Sequence, residues 1–170
     1  MGPQPELSPP TVADVWDARR VLHGVVRRTP VFQDDLLDAA VGATVHLKAE
    51  HLQRTGSFKV RGAYNKVRSL TPEARQRGIL TISAGNAALG AAYAARAHGI
   101  ACSVVMPARP VQAKLDAVRA LGAEVVLHGT STPEMFAKAD ELIAEHGFTL
   151  VHPFEQPEVI AGQGTIGLEI

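Results

Sequence analysis

Lys59 stands just after Thr55-Gly56-Ser57-Phe58, where a Gly-Ser turn gives way to a helix-forming run. Ser57 is placed to cap that helix, and Phe58 and Val60 put apolar surface beside the lysine. An ammonium in such a setting loses solvation, its pKa falls, and the neutral amine becomes a nucleophile of the Schiff-base kind. The same residue also reads as an ordinary lysine on an amphipathic helix. A second stretch, Ser83-Ala84-Gly85-Asn86, joins a strand end to a helix start. Free N–H groups and the positive end of a helix dipole suit an anion there, such as a substrate carboxylate. Gly85 admits close backbone approach, and Asn86 offers an amide to a ligand oxygen. Taken alone, it also reads as a capping turn.

The elements around these two stretches follow a regular pattern. Residues 1–10 hold four prolines and read as a flexible tail. Thr11 caps a helix to about residue 23, with Val12, Val15, Trp16, Arg19 and Leu22 at helical spacing. Residues 31–41 are ambiguous, and 43–48 read as a strand feeding the lysine turn. Helices are expected over 57–70, from Pro72, and over 86–98, 110–121, 132–146 and from about 156. Apolar strands begin at 79, 101, 123 and 148, a spacing of one strand plus one helix. Such alternation predicts an α/β fold with a doubly wound parallel sheet of four strands, covered on both faces. Ligands in such sheets lie at the carboxyl ends of strands, where residues 83–86 fall.

Composition narrows the partners. The 170 residues are 46% hydrophobic and 20% charged, with 17 Lys+Arg against 17 Asp+Glu. That balance fits a soluble globular chain and favours neither nucleic acid nor an anionic membrane. No signal peptide is visible, and no apolar run approaches the roughly 18 residues that span a bilayer. The one cysteine, Cys102, lies in an apolar run and reads as a structural thiol in a cytoplasmic protein. The seven histidines show no ligand spacing with Cys or carboxylates, so no metal is expected.

Lys48-Ala49-Glu50-His51-Leu52-Gln53-Arg54-Thr55-Gly56-Ser57-Phe58-Lys59-Val60-Arg61-Gly62-Ala63 closely resembles the cofactor-lysine segment of the serine/threonine dehydratases. These are pyridoxal-phosphate enzymes of the tryptophan-synthase-β-like class (fold type II), with the threonine ammonia-lyases the nearest members. Ser83-Ala84-Gly85-Asn86 resembles that family's loop facing the cofactor, and Gly162-Gln163-Gly164-Thr165-Ile166-Gly167-Leu168-Glu169 its following large-domain helix. The resemblance runs from about Arg28 to the last residue.

It implies pyridoxal 5'-phosphate held on Lys59 as an internal aldimine, with Phe58 against the ring and Asn86 on the phenolic oxygen. Ser83, Ala84, Gly85 and Asn86 would bind the amino-acid substrate. The implied reaction is β-elimination of L-threonine or L-serine to a 2-oxo acid and ammonia, with Lys59 taking the Cα proton and the cofactor phosphate serving the leaving group. Arg61 and Glu50 read as holding the lysine segment rather than doing chemistry.

The implied domains are 11–52 as the start of a large domain, 53–152 as the small domain, and 153–170 as the return into the large one. A homo-oligomer is expected.

Three departures from the family qualify the reading. Ala87-Ala88-Leu89 replaces a polar His-Ala-Gln, which removes two polar groups beside the cofactor. Ala84 stands where related serine racemases carry a second serine. The family's glycine-rich phosphate loop, and the group facing the pyridine nitrogen, would lie beyond residue 170. The chain is therefore expected to be the front portion of the enzyme and inactive alone. The competing reading is a non-catalytic relative that serves as an interaction module.

Overall fold

The structure, a computed structural model, describes residues 8–170; of the expected tail, residues 1–7 lie outside the described residues. Four parallel strands form the central sheet: β3 (Ile79–Ile82), β4 (Cys102–Met106), β5 (Glu124–Leu127) and β6 (Thr149–Leu150), in spatial order β5-β4-β3-β6. The chain builds outward from β3 to β4 to β5, then returns to place β6 on the other side of β3. The β3/β6 boundary is therefore where the winding reverses, and a crevice opens at the carboxyl ends of such a pair.

Alternation along the strands divides the core in two. Ile79, Cys102, Val104 and Met106 pack with alanines of α5 (Asn86–His98), with Val67 of α3 (Lys59–Arg68), and with Leu115 and Val118 of α6 (Gln112–Ala120). Leu80, Ile82 and Val105 face the other way, onto Met135 and Ala139 of α7 (Thr132–His146). Both faces are covered, so the strands read as apolar runs and not as an alternation with polar residues.

Helix ends explain the boundaries. Thr11 forms a capping box with Asp14 on α1 (Val12–Leu22), and Ser131 does the same with Glu134 on α7. Gly99 and Gly147 close α5 and α7 in the left-handed conformation, where glycine has no Cβ penalty. Pro72 opens α4 (Pro72–Arg77).

Two expectations need correction. The helix expected over 57–70 begins at Lys59, with Phe58 and not Ser57 as its N-cap. Ser57 is extended, because Thr55 and Gly56 before it both take positive φ (64° and 72°) and turn the chain sharply. Its hydroxyl still accepts the Lys59 N–H, at 3.4 Å. The strand expected over 43–48 shrinks to β2 (Leu47–Lys48), which pairs antiparallel with β1 (Val31–Phe32). The ambiguous stretch between them holds α2 (Asp35–Val41), capped by Asp34.

The other edge of the molecule is helical. α1 packs on α8 (Pro157–Gly164), which crosses α3 directly. At that crossing a methyl on Gly162 would come within 2.6 Å of the Gly62 Cα and 2.7 Å of the Arg61 carbonyl oxygen. Only hydrogen fits.

Candidate active site around Lys59

Lys59 is the first residue of α3, and its side chain reaches the carboxyl end of β6. Its Nζ donates to the Pro153 carbonyl at 2.9 Å. The Phe58 ring centroid lies 5.1 Å from it and the Phe154 ring 5.9 Å. Burial pushes its pKa below the usual lysine range, and no carboxylate among the described residues offsets this. Lys48 pairs with Glu169, Lys66 with Glu158 and Lys138 with Glu141, whereas Lys59 and Lys114 form no ion pair among the described residues. The amine is thus poised toward its neutral, nucleophilic form by apolar surroundings. Phe154 supplies apolar surface that sequence reasoning sought in Val60.

The loop after β3 lies beside it. Ala87 and Lys59 line the same cavity, and a methyl on Gly90 of α5 would meet the Lys59 carbonyl carbon and oxygen at 3.0 Å. Ser83 continues the sheet by donating its N–H to Val105 O (3.1 Å), and its hydroxyl accepts the Gly85 N–H at 3.0 Å. Ala84 and Asn86 are exposed, and no side chain among the described residues caps the thirteen-residue helix α5 that starts at Asn86. Its first-turn N–H groups therefore remain open to an anion. A methyl on Gly85 would lie 2.7 Å from Lys114 Nζ, the movable end of a long side chain that reaches over this loop. Lys114, on α6, brings a second positive charge over this loop. Sequence reasoning missed it because a whole helix and strand separate it from the loop and no motif links the two.

Behind the lysine sits a buried ion-pair network. Arg61 is fully buried, and its guanidinium donates to Glu50 (2.8 and 2.9 Å), Glu169 (2.7 and 3.0 Å), Thr165 Oγ1 (3.2 Å) and Arg27 O (3.3 Å). Lys48 adds bonds to Glu169 and to Thr29 O, both 2.6 Å. Burial alone would raise the carboxyl pKa of Glu50. Hydrogen bonds from Arg61 and Thr29, with the Arg61 charge, more than reverse this, and hold it below the usual range. Burial acts on Glu169 in the same sense and is likewise outweighed, there by Arg61 and Lys48. The network ties residues 27–29, 48–50 and 165–169 to the helix that carries Lys59.

His152 completes the wall. Its Nδ1 accepts the N–H groups of Phe154 (3.3 Å) and Glu155 (3.1 Å), so that nitrogen is unprotonated. Burial lowers its pKa, as does nearby Lys59, against a raising effect of Glu155. Cys102 is buried within the sheet, its thiol pushed up to about 12 by desolvation, and it is no nucleophile.

The arrangement fits pyridoxal phosphate at the end where its aldehyde would meet an amine. Lys59 offers a desolvated amine without a counter-ion among the described residues. Phe58 adds a partly exposed ring, and Asn86 an exposed amide at an uncapped helix start. The glycines at 162 and 164 do not serve a phosphate, since Gly162 is packed against α3 and Gly164 against Val15.

Comparison with known proteins agrees with this geometry. A family model described as pyridoxal-phosphate dependent enzyme matches residues 22–170. The L-threonine ammonia-lyase of Thermotoga maritima is 46% identical over 160 residues, covering 94% of this chain and 40% of that protein. The threonine deaminase of Solanum lycopersicum, isoform 2 in its processed form, superposes with a TM-score of 0.82 at 36% identity, over 96% of this chain and 47% of that one. The serine racemase of Dictyostelium discoideum superposes with a TM-score of 0.85 at 35% identity, over 94% and 52%. The chain thus spans about half the length, or less, of the relatives it matches. Lysine, loop and sheet all fall within the matched residues, and the chain belongs to the pyridoxal-phosphate dependent enzyme family.

Proposed function

We propose that this chain supplies the lysine-bearing half of an ammonia-lyase that converts L-threonine, and L-serine, to a 2-oxo acid and ammonia. The observation that carries the proposal is Lys59: a desolvated amine with no acidic partner among the described residues, at the point where the parallel sheet reverses its winding. The names of the ammonia-lyase and deaminase relatives supply the substrate class.

Pyridoxal phosphate, when bound, supplies an electron sink for the pair left at Cα of an amino acid. Lys59 would hold it through its amine, Phe58 would cover a ring face, and Asn86 would reach the phenolic oxygen. Burial lowers the Lys59 pKa and so favours the neutral amine that would take the Cα proton. Ser83 and the open N–H groups of the loop, with the Lys114 charge above them, would receive the substrate carboxylate. The Cα–H and Cβ–O bonds break, the hydroxyl leaves as water, and a water returns in the final hydrolysis. Threonine thus yields 2-oxobutanoate and ammonia with no net water. The small domain of 53–152, cytoplasmic residence and homo-oligomeric assembly belong to the same proposal.

Borohydride reduction of cofactor-loaded protein, followed by peptide mapping, tests the central assignment. A phosphopyridoxyl group on Lys59 is expected. The same label on Lys48, Lys66 or Lys114 instead would overturn it.

A further inference from the structure

The cavity under Lys59 contains polar atoms that the reading above leaves unused. Lys59, Thr81, Ala87, His152, Pro153 and Gln163 line it, and it offers about 10 Å³ to a water-sized occupant. That is room for one water and nothing larger.

Gln163 is the unexplained member. Its Oε1 accepts the Gly62 N–H at 3.3 Å, which fixes which end of the carboxamide is which. Its Nε2 is then the other end, fully buried and without a partner among the described residues. The carboxamide lies close against Gly62, where even a methyl would come within 2.6 Å of Nε2 and 2.9 Å of Cδ. A buried amide donor left unpaired is costly, and native structures satisfy nearly all of them. Lys59 Nζ, across the same cavity, uses one donor on Pro153 O and keeps further capacity. Thr81 Oγ1 spends its hydrogen on Val151 O (2.8 Å) and remains an acceptor.

We infer that Gln163 Nε2 and Lys59 Nζ share one bound water in this cavity, and that Gln163 is thereby a positioning residue for the lysine. The water site stands on the geometry alone; its use in positioning a catalytic amine rests on the function proposed above. The arrangement serves both charge states of Lys59. With an ammonium, the water accepts from Nζ and Nε2 and donates to Thr81 Oγ1 and Pro153 O. With a neutral amine, the water still accepts from Nε2 and turns one hydrogen onto the Nζ lone pair. The amine keeps its place while its proton comes and goes, because one small molecule rotates and no side chain has to move.

The test uses the full chain without cofactor. High-resolution crystal structures of the wild type, Gln163→Glu and Gln163→Met would be read beside the pH profile of Lys59 acylation, followed by mass spectrometry. The wild type should show an ordered water within about 3.2 Å of both Nε2 and Nζ. Gln163→Glu keeps the acceptor for Gly62 but turns the donor into a charged acceptor. It should raise the Lys59 pKa by a unit or more, cutting the free amine about tenfold at a fixed pH below it. Gln163→Met should empty the water site. A dry cavity in the wild type, a water touching only one of the two nitrogens, a water that survives in Gln163→Met, or a folded Gln163→Glu with an unmoved profile would each overturn the inference. If Gln163→Met fails to fold, the first two proteins still decide. A borohydride label away from Lys59 would sink the cofactor assignment and leave the water site standing.

Discussion

On the function proposed above, the choice between elimination and racemisation by the whole enzyme is expected to turn on one side chain. Racemisation needs a proton donor on the face of Cα opposite the lysine, and Ala84 offers only a methyl at the exposed tip of the loop. Elimination needs the Lys59 amine alone on that carbon. The enzyme containing this half should therefore form pyruvate from L-serine faster than D-serine, and chiral chromatography of the incubated mixture measures both. D-serine ahead of pyruvate would refute the assignment, despite the likeness to a serine racemase. The sequence offered Lys59, Phe58, Ser83 and Asn86 as candidates because each sits in a short motif at a turn. Phe154, Lys114 and Gln163 were not legible there. They come from distant segments: Phe154 from the loop after β6, Gln163 from α8 packed on α3, and Lys114 from α6 packed on α5.

At the level of elements, the lysine helix is held by charge on one side and by close packing on the other. Arg61 has both neighbouring carboxylates at full hydrogen-bonding distance, and removing it would leave partly buried Glu50 with only the Thr29 hydroxyl and Glu169 with only Lys48. Arg61→Leu should cost about 3–5 kcal/mol in urea unfolding. Arg61→Lys should also destabilise, because an ammonium cannot match two carboxylates with a planar fork.

The acid limb follows from the same contacts. Glu50 and Glu169 have depressed folded-state pKa values, so their contribution is complete above the unfolded carboxylate pKa, about 4.3. It is lost as pH falls through the lower folded values. Thermal melts should hold level from neutral pH down to about 5 on this account and fall below about 4.3, and Arg61→Leu should flatten that fall.

On the opposite side, Gly162→Ala would drive a methyl into the backbone of α3. Overpacking of this kind costs about 1–3 kcal/mol, and here the shift would reach Lys59, so cofactor affinity should drop along with the melting temperature. Helix spans were largely legible from caps: Asn86–His98 and Thr132–His146 match residue for residue, because Gly99 and Gly147 end them. The start of α3 was not, since the two left-handed residues Thr55 and Gly56 delay the helix past Ser57.

For the whole molecule, the parallel sheet was legible from the repeat of apolar runs, whereas the winding order was not. A repeat of strand and helix says nothing about which side of β3 receives β6. That placement decides where the crevice opens.

The sheet carries its own two-faced core. The margin formed by α1, α2, β1 and β2 instead leaves Val12, Phe32, Leu36 and Val41 about half exposed or more. The 170 residues alone should therefore associate, with sedimentation giving a mass above 18.0 kDa. They should take up pyridoxal phosphate weakly and show no steady release of 2-oxobutanoate. Tight stoichiometric uptake with turnover would show that this half is sufficient.

The crowded backbone around Lys59 has a consequence for anyone moving this chemistry elsewhere. Gly90 admits the lysine's own carbonyl, and Gly62 and Gly162 admit each other's helices. At these positions alanine adds a methyl and deletes nothing, so a substitution read elsewhere as a loss of contacts acts here by crowding. The amine's address is written in three hydrogen atoms. A designer who transplanted the lysine, its aromatic neighbours and the loop onto another α/β scaffold, but filled those positions, would carry over every reactive group and still find the nitrogen in the wrong place.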